Sequence, residues 1–508
     1  MGGVRLTVLA PMAIEAAALR RAGMPVSTVG MGPASARRGT RALGVLPGPV
    51  LVAGLAGALA ADLQVGDVVL ASEIRAPDGK VYRCADPTLL VTLLREAGLR
   101  VHVGPVACAR RVVRGGARRE LARTTALCVD MESAWLAEVA GRRPLTVMRV
   151  ILDTGERELH RPLTTLAGLA RALGVLTRAA ACLARWSALL GDREVLLAAP
   201  RASCAGVDRA VEVVERVLCE RGAPVYVRRQ IVHNAHVVGS LERRGAIFVE
   251  ELAEVPPGAT VIFSAHGVSP AVRAEAAARG LEVIDATCPL VAKVHAEARR
   301  FAAGGFEIVL IGHAGHDEVE GTLGEAPDQM RLLASAEEVT QLEVADPERV
   351  AYLTQTTLAI DETATVVEAL RERFPSVSGP ASSDICYATQ NRQDAVRALA
   401  AECDLVLVVG SRNSSNSCRL VEVARRAGVT AELIENASEL DPRQLSGARR
   451  IGLSAGASAP EHLVQGVISA LAGLGELSVS ERRVAREDIH FKLPPQVRSP
   501  EVIPCPSP

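Results

Sequence analysis

Three cysteines are the residues of this chain best suited to chemistry. Cys204 sits in PRASCAGVDRA, Cys288 in DATCPLVAKVH and Cys386 in SDICYATQNRQ, at intervals of 84 and 98 residues. Each is read as following a strand by a few residues and opening a helix, so three related units of about one hundred residues would converge on one point. Zinc ribbons pair their ligands roughly two to four residues apart, which is not this spacing. Three thiolates can instead hold a cubane iron–sulfur cluster and leave one iron open. An open metal position is what Lewis-acid chemistry on a hydroxyl requires. The other cysteines among the eleven form no CxxC pair and are read as small buried hydrophobes.

Polar groups recur in apolar or glycine-rich settings around these thiols. They are IVHNAHVV (His233, Asn234, His236), FSAHGVS (His266), IGHAGHDEVEGT (His313, His316, Glu318), LTQTTLAID (Thr356, Thr357), GSRNSSNSCRL (Ser414, Ser415, Asn416) and SAGASAPE (Ser458). Imidazoles, hydroxyls and amides at strand ends and helix N-termini make a diphosphate clamp that does not depend on Lys or Arg.

The elements that must position these groups are legible as an alternation. From Glu194 onward strand, polar loop and helix repeat, with strands at 260–263, 282–284, 307–311, 349–353, 404–409 and 449–453, the pattern of parallel sheets flanked by helices. Before it, strands at 50–53, 68–71 and 146–151 alternate with helical stretches and end in an Ala/Leu-rich helix over 163–190. Gly191-Asp192-Arg193 breaks the chain there, so domains are expected at 1–190 and 194–497, with a Pro-rich tail over 498–508. A chain of 508 residues needs several cores, and with 2% aromatics these must be built from Ala, Val and Leu. The 57 basic and 58 acidic residues nearly cancel, which leaves no global field to recruit nucleic acid or an anionic membrane. The apolar amino terminus is interrupted by Glu15 and reads as a strand and a helix rather than a signal peptide. No uninterrupted apolar run reaches the ~18 residues of a membrane span, and a cytoplasmic protein of unspecified oligomeric state is expected.

Taken together and in order, the three cysteine motifs and the HNxxVV, AHGV, GHxGHxEVEGT, TQTT, NSSNS and AGASAPE segments make residues 194–497 resemble the 4-hydroxy-3-methylbut-2-enyl diphosphate reductases of the methylerythritol phosphate pathway. The resemblance implies an α/β trefoil of three small units around a [4Fe–4S] cluster held by Cys204, Cys288 and Cys386. It implies that the diphosphate is gripped by His233, His266, Ser414, Asn416 and Ser458, with Ser415 adjoining, and that His316 and Thr356 complete the pocket. Glu318 would deliver protons, and a ferredoxin- or flavodoxin-type donor would supply two electrons, one at a time. The products would be isopentenyl and dimethylallyl diphosphates. Four positions depart from the family pattern: Ala202-Ser203 stands for Gly-Phe, Gln390 for Thr, and Cys418 for an amide. Cys418 is read as a spectator thiol.

Residues 1–185 resemble the purine nucleoside phosphorylase and nucleosidase superfamily, especially its hopanoid-associated branch, through VGMGPASAR, LVAGLAGALAADLQVGDVVLAS and CVDMESAWLAEVAGRRPLTVMRVILDT. That resemblance implies an α/β domain in which Met131 and Glu132 hold a ribose and Asp153 is the general acid, with Gly30, Gly32 and Gly54 on the anion side. Leu55 replaces a hydroxyl residue common in phosphorylases, and Arg110, Arg111 and Arg114 could meet phosphate or solvent. Two alternatives remain open: an iron–sulfur sensor or electron carrier without turnover, and a non-catalytic N-terminal docking module.

Overall fold

The computed structural model describes residues 6–497 apart from 45, 47, 142 and 156–161, so the proposed tail at 498–508 lies outside the described residues. The chain forms two compact units. One comprises Met1–Val195, Asn436–Arg449 and Gln465–Val479, the other Leu196–Glu435, Arg450–Val464 and Ser480–Pro508.

The first unit is built on an eight-stranded mixed sheet. Val50–Ala58 pairs in parallel with Thr7–Ala10 and Leu145–Asp153, and antiparallel with Cys128–Asp130. Val68–Arg75 pairs antiparallel with Leu145–Asp153 and in parallel with Val101–Cys108, which in turn pairs with Cys128–Asp130. The pairing closes on itself. Strands buried on both faces need continuous apolar runs, which explains why Val50–Ala58 has almost no polar alternation. Between Val101–Cys108 and Cys128–Asp130 stands the helix Gly115–Ala122, joined by the connections 109–114 and 123–127.

The helix Pro162–Ser187 buries Ala172, Val175, Leu176, Ala179, Ala180, Leu183 and Trp186, a three-and-four spacing that makes one apolar stripe. That stripe lies against the helices Ala13–Arg20 and Thr88–Glu96 and the strand Leu145–Asp153. Over Leu166–Ser187 it is long and apolar enough to cross a membrane by length and composition, a property that counting uninterrupted runs passes over. Its arginines at 171, 178 and 185 and its contacts with the sheet mark it as a core helix.

Three separate sheets follow. The first has four parallel strands in the order Ala246–Val249, Val225–Arg228, Thr260–Phe263 and Glu282–Asp285. The second has three parallel strands, Met330–Leu333, Glu307–Ile311 and Val350–Thr354. The third has five, in the order Thr430–Ile434, Leu405–Val409, Arg450–Ala455, Arg193–Ala199 and Leu477–Arg483. Each sheet has its own hydrophobic cluster of Val, Leu, Ile and Ala. The three units expected around a centre are therefore three small α/β sheets. After the last strand the chain runs on to a 3-10 turn at Pro495–Val497 whose Val497 is fully buried, so the Pro-rich stretch packs at least that far.

Candidate active site

Each of the three cysteines caps a helix. Cys204 precedes Ala205–Arg221, Cys288 precedes Pro289–Ala303 and Cys386 precedes Tyr387–Ala400. Free backbone N–H groups and the positive end of the helix dipole face a capping residue and by themselves favour an anionic sulfur, an effect that burial opposes here. The Cys386 sulfur accepts from the Thr389 backbone N–H at 3.3 Å. Cys204 and Cys288 follow strands directly, but Cys386 does not. Between it and Val350–Thr354 lie the helix Ile360–Arg373 and a single bridge from Ala351 to Ser378.

The three thiols line one cavity of about 760 Å³. A Cβ built on Gly206 would stand 2.7 Å from the Cys288 sulfur and 3.8 Å from that of Cys204, so glycine is needed between them. Burial, reinforced by the neighbouring thiols, pushes Cys288 up to about 12 and Cys386 up to about 11. Sulfurs so buried and so mutually repelling as anions are suited to a cationic centre that all three can share, which is what an iron–sulfur cluster provides.

Glu318 stands on the first turn of Asp317–Leu323, 2% exposed. Its two carboxyl oxygens accept from the Thr356 backbone N–H at 2.7 Å and the Thr356 hydroxyl at 2.9 Å. Burial outweighs these bonds and raises its pKa to about 7. His316 caps the same helix: its Nδ1 accepts from the Glu318 backbone N–H at 3.2 Å, which leaves the proton on Nε2. His233 and His266 stack with ring centroids 4.0 Å apart, and His316 meets both edge-on at 5.3 and 5.8 Å. Burial lowers all three imidazoles, His316 to about 4 and His266 well below its usual range, so the imidazoles themselves are neutral in the free site, with the Asp317 carboxylate 4.0 and 3.7 Å from His233 and His266.

Hydroxyls and an amide make up another part of the lining. Ser414 caps Ser415–Arg426, with its oxygen accepting from the Ser417 N–H at 3.3 Å. Ser415 accepts from the Thr357 hydroxyl at 3.1 Å, and Ser458 donates to the His233 carbonyl at 2.9 Å. Asn416 is buried with both polar side-chain atoms unpartnered, the condition of a group that waits for a ligand. Among the described residues that line the cavity, none is Lys or Arg. Asn234 acts as a helix cap, accepting from the His236 and Val237 N–H groups at 3.1 Å each, and thereby anchors the turn that bears His233. His313 is engaged by Arg419 at 2.7 Å. Cys418 is not among the lining residues and donates to the Arg412 carbonyl at 3.2 Å. Tyr387 and Phe491 also line the cavity and escaped the sequence reading. Tyr387 adjoins a cysteine and was open to inference, whereas Phe491 comes from the distant carboxyl-terminal segment.

The family model described as LytB protein matches residues 195–472. The chain belongs to the LytB protein family. The 4-hydroxy-3-methylbut-2-enyl diphosphate reductase of Nocardia farcinica is 58% identical over 308 residues, covering 60% of this chain and 92% of the relative. That of Bordetella pertussis is 60% identical over 303 residues, with 60% and 93% covered. The structure of the E-1-hydroxy-2-methyl-but-2-enyl-4-diphosphate reductase from Plasmodium falciparum matches with a TM-score of 0.58 at 38% identity, over 60% of this chain and 97% of that one. The resemblance seen in the sequence is thus shown, and an iron–sulfur cluster goes with the LytB family. A model of the phosphorylase superfamily matches residues 19–185, outside the LytB portion.

The first unit has its own cavity of about 750 Å³, lined by Glu15, Leu55, Arg111, Met131, Glu132 and Asp153 among others. Glu132 accepts from the Gly32 N–H at 2.8 Å, so that amide is already used. A Cβ at Gly54 would meet Arg149 and Glu15 side-chain atoms, both at 2.7 Å, which makes Gly54 a packing residue. Glu15, read in the sequence only as an interruption, is 1% exposed and accepts from the Leu55 and Met12 N–H groups at 2.7 Å each. Burial raises its pKa to about 7. An acidic residue inside the apolar run MAIEAAAL was the available signal. Asp153 is bound by Arg118, with Nη1 to Oδ2 at 2.9 Å and Nη2 to the Asp153 carbonyl at 3.0 Å. Arg118 is also buried, and the sequence reading had not singled it out.

Proposed function

We propose that the LytB portion reductively removes the hydroxyl of (E)-4-hydroxy-3-methylbut-2-enyl diphosphate, giving isopentenyl and dimethylallyl diphosphates. The observation that carries this reading is one cavity lined jointly by three helix-capping thiols, a buried carboxyl and an imidazole–hydroxyl wall. Cys204, Cys288 and Cys386 would hold a [4Fe–4S] cluster, which when bound supplies electrons and an open Lewis-acid position. His233, His266, Ser414, Asn416 and Ser458 would bind the diphosphate, with Ser415 orienting its neighbours. Thr356 fixes the Glu318 carboxyl, and a pKa of about 7 lets that group hold a proton for the departing oxygen near neutral pH. His316 donates from Nε2 into the same space. A simple electron carrier has no use for a buried proton donor and an anion wall, so the enzyme is preferred to the carrier.

The electrons would come from a ferredoxin- or flavodoxin-type protein. The domain division at 190–194 and the assignment of the N-terminal cavity to a polyol or ribosyl ligand, through Glu132 and Met131, are parts of the same proposal. In the geometry described, Asp153 is committed to Arg118, and acid catalysis by Asp153 requires that pair to open. The test is anaerobic reconstitution followed by assay with the hydroxylated diphosphate and a low-potential reductant. About four irons per chain with product formation support the reading, and a loaded protein without dehydroxylation refutes it.

A further inference from the structure

Three basic side chains follow the three cysteines at nearly equal distance. Arg209 stands five residues after Cys204, Lys293 five after Cys288 and Arg392 six after Cys386, each on the helix that its cysteine opens. Each reaches to the backbone that delivers a different cysteine. Arg209 donates to the carbonyls of Ala286 and Thr287, both at 3.0 Å, immediately before Cys288. Lys293 donates to the carbonyls of Ser382 and Ser383 at 2.7 and 3.0 Å and to Asp384 at 3.2 Å, on the approach to Cys386. Arg392 donates to the carbonyl of Ala202 at 2.7 Å and to that of Ser203 at 3.3 Å, immediately before Cys204. The order is cyclic: the first helix holds the second approach, the second the third, and the third the first.

We propose that Arg209, Lys293 and Arg392 form a closed ring of positioning residues that gathers the three sulfurs at one point before any metal arrives. The inference rests on the reading of the three cysteines as cluster ligands. A cation held by two successive carbonyls fixes two peptide planes, and with them the direction in which the next side chain leaves the backbone. Arg392 is fully buried and Arg209 nearly so, so these bonds are little weakened by water. Two of the cations are themselves paired, Lys293 with Asp384 and Arg392 with Glu487, so the ring acts through the carbonyls it holds. Two of its members are tied to the carboxyl-terminal segment, Arg392 to Glu487 at 3.0 Å and Arg209 to the Lys492 carbonyl at 2.8 Å. Those ties flank Phe491, which lines the cavity.

Cyclic bracing makes a prediction that ordinary helix packing does not. Lys293 is nearest in sequence to Cys288, yet its removal must loosen Cys386. The lysine side chain is 28% exposed, so Lys293→Met keeps the stem, and because it would leave the buried Asp384 carboxylate without its cation, Asp384→Asn is carried in the reference and variant chains alike. The full chain, made metal-free and kept anaerobic, is alkylated with iodoacetamide, and each cysteine is followed by peptide mass spectrometry. The three cysteines are half-buried in the cavity wall, so their relative reaction rates report how firmly each is held there. We expect Cys386 to react about tenfold faster in Lys293→Met, the scale of one charge-assisted hydrogen bond, with Cys288 within about twofold of the reference rate. Lys293→Arg should restore the reference rate, and Arg392→Lys should accelerate Cys204 in the same way. A parallel titration with Cd²⁺, read by its thiolate charge-transfer band, should give one tight site per reference chain and about tenfold weaker binding in Lys293→Met. Acceleration at Cys288, or no change at any cysteine, overturns the ring. A reference chain that shows no three-thiolate Cd²⁺ site overturns instead the ligand reading beneath it.

Discussion

Replacing Glu318 by Gln separates its chemistry from its place in the fold. The carboxyl is buried and its pKa is raised from 4.5 to about 7, with burial the dominant cause. Because the folded value lies above the unfolded one, this group's contribution to stability is fully present below pH 4.5 and is lost as pH rises to about 7. That interval corresponds to roughly 3 kcal/mol at full ionisation. Glutamine has the same shape, its amide oxygen can keep the Thr356 N–H, and the Thr356 hydroxyl can turn to accept from its amide N–H. The variant never ionises, so thermal unfolding of the metal-free chain should show it more stable than the native protein at pH 8 and equal to it near pH 4. It cannot donate a proton, however, and dehydroxylation should fall by ~10²–10⁴-fold with the iron content unchanged. Native turnover should decline as pH rises past about 7. Glu318→Gln with native turnover and an unaltered pH profile would refute the assignment of this residue as proton donor.

Three further outcomes follow from the same geometry. Inorganic diphosphate binding to His233, His266 and His316, which burial keeps neutral in the free site, should draw protons from solution and tighten as pH falls. Calorimetry in buffers of different ionisation enthalpy measures that uptake, and none would exclude the imidazoles from the anion site. Ala202 adopts a left-handed backbone with φ +59°; Ala202→Gly should therefore raise the stability of the metal-free chain by about 1 kcal/mol, as read by chemical denaturation. Arg118→Ala should destabilise the N-terminal unit by roughly 3–5 kcal/mol, because Asp153 would be left buried and unpaired. Double replacement of Arg118 and Asp153 by uncharged residues should recover much of that loss.

The alternation of apolar runs with polar loops was enough to give most strands and the three-unit plan, because parallel strands buried on both faces carry long unbroken Val/Leu/Ile signals. Short strands such as the interior Val225–Arg228 and the edge strand Met330–Leu333 have four residues each and were passed over. The thiols, imidazoles and hydroxyls of the cavity were recognisable because their types are chemically conspicuous. Arg118, Arg209, Lys293 and Arg392 were not, since a basic residue on a helix is ordinarily solvated and only coordinates reveal which carbonyls it reaches. The approach to Cys386 was misjudged for a related reason. Its backbone is held by Lys293 and by the Asp384 bond to the Thr354 N–H at 3.1 Å, neither of which has a local sequence pattern.

A binding wall assembled from imidazoles, hydroxyls and an amide has a kinetic corollary. With no cationic side chain among the described lining residues, little long-range attraction draws a diphosphate in, and capture depends on short-range donors met only after arrival. Second-order capture of substrate should then be slow beside steered enzymes and nearly indifferent to added salt, while discrimination falls to the fit of the desolvated anion.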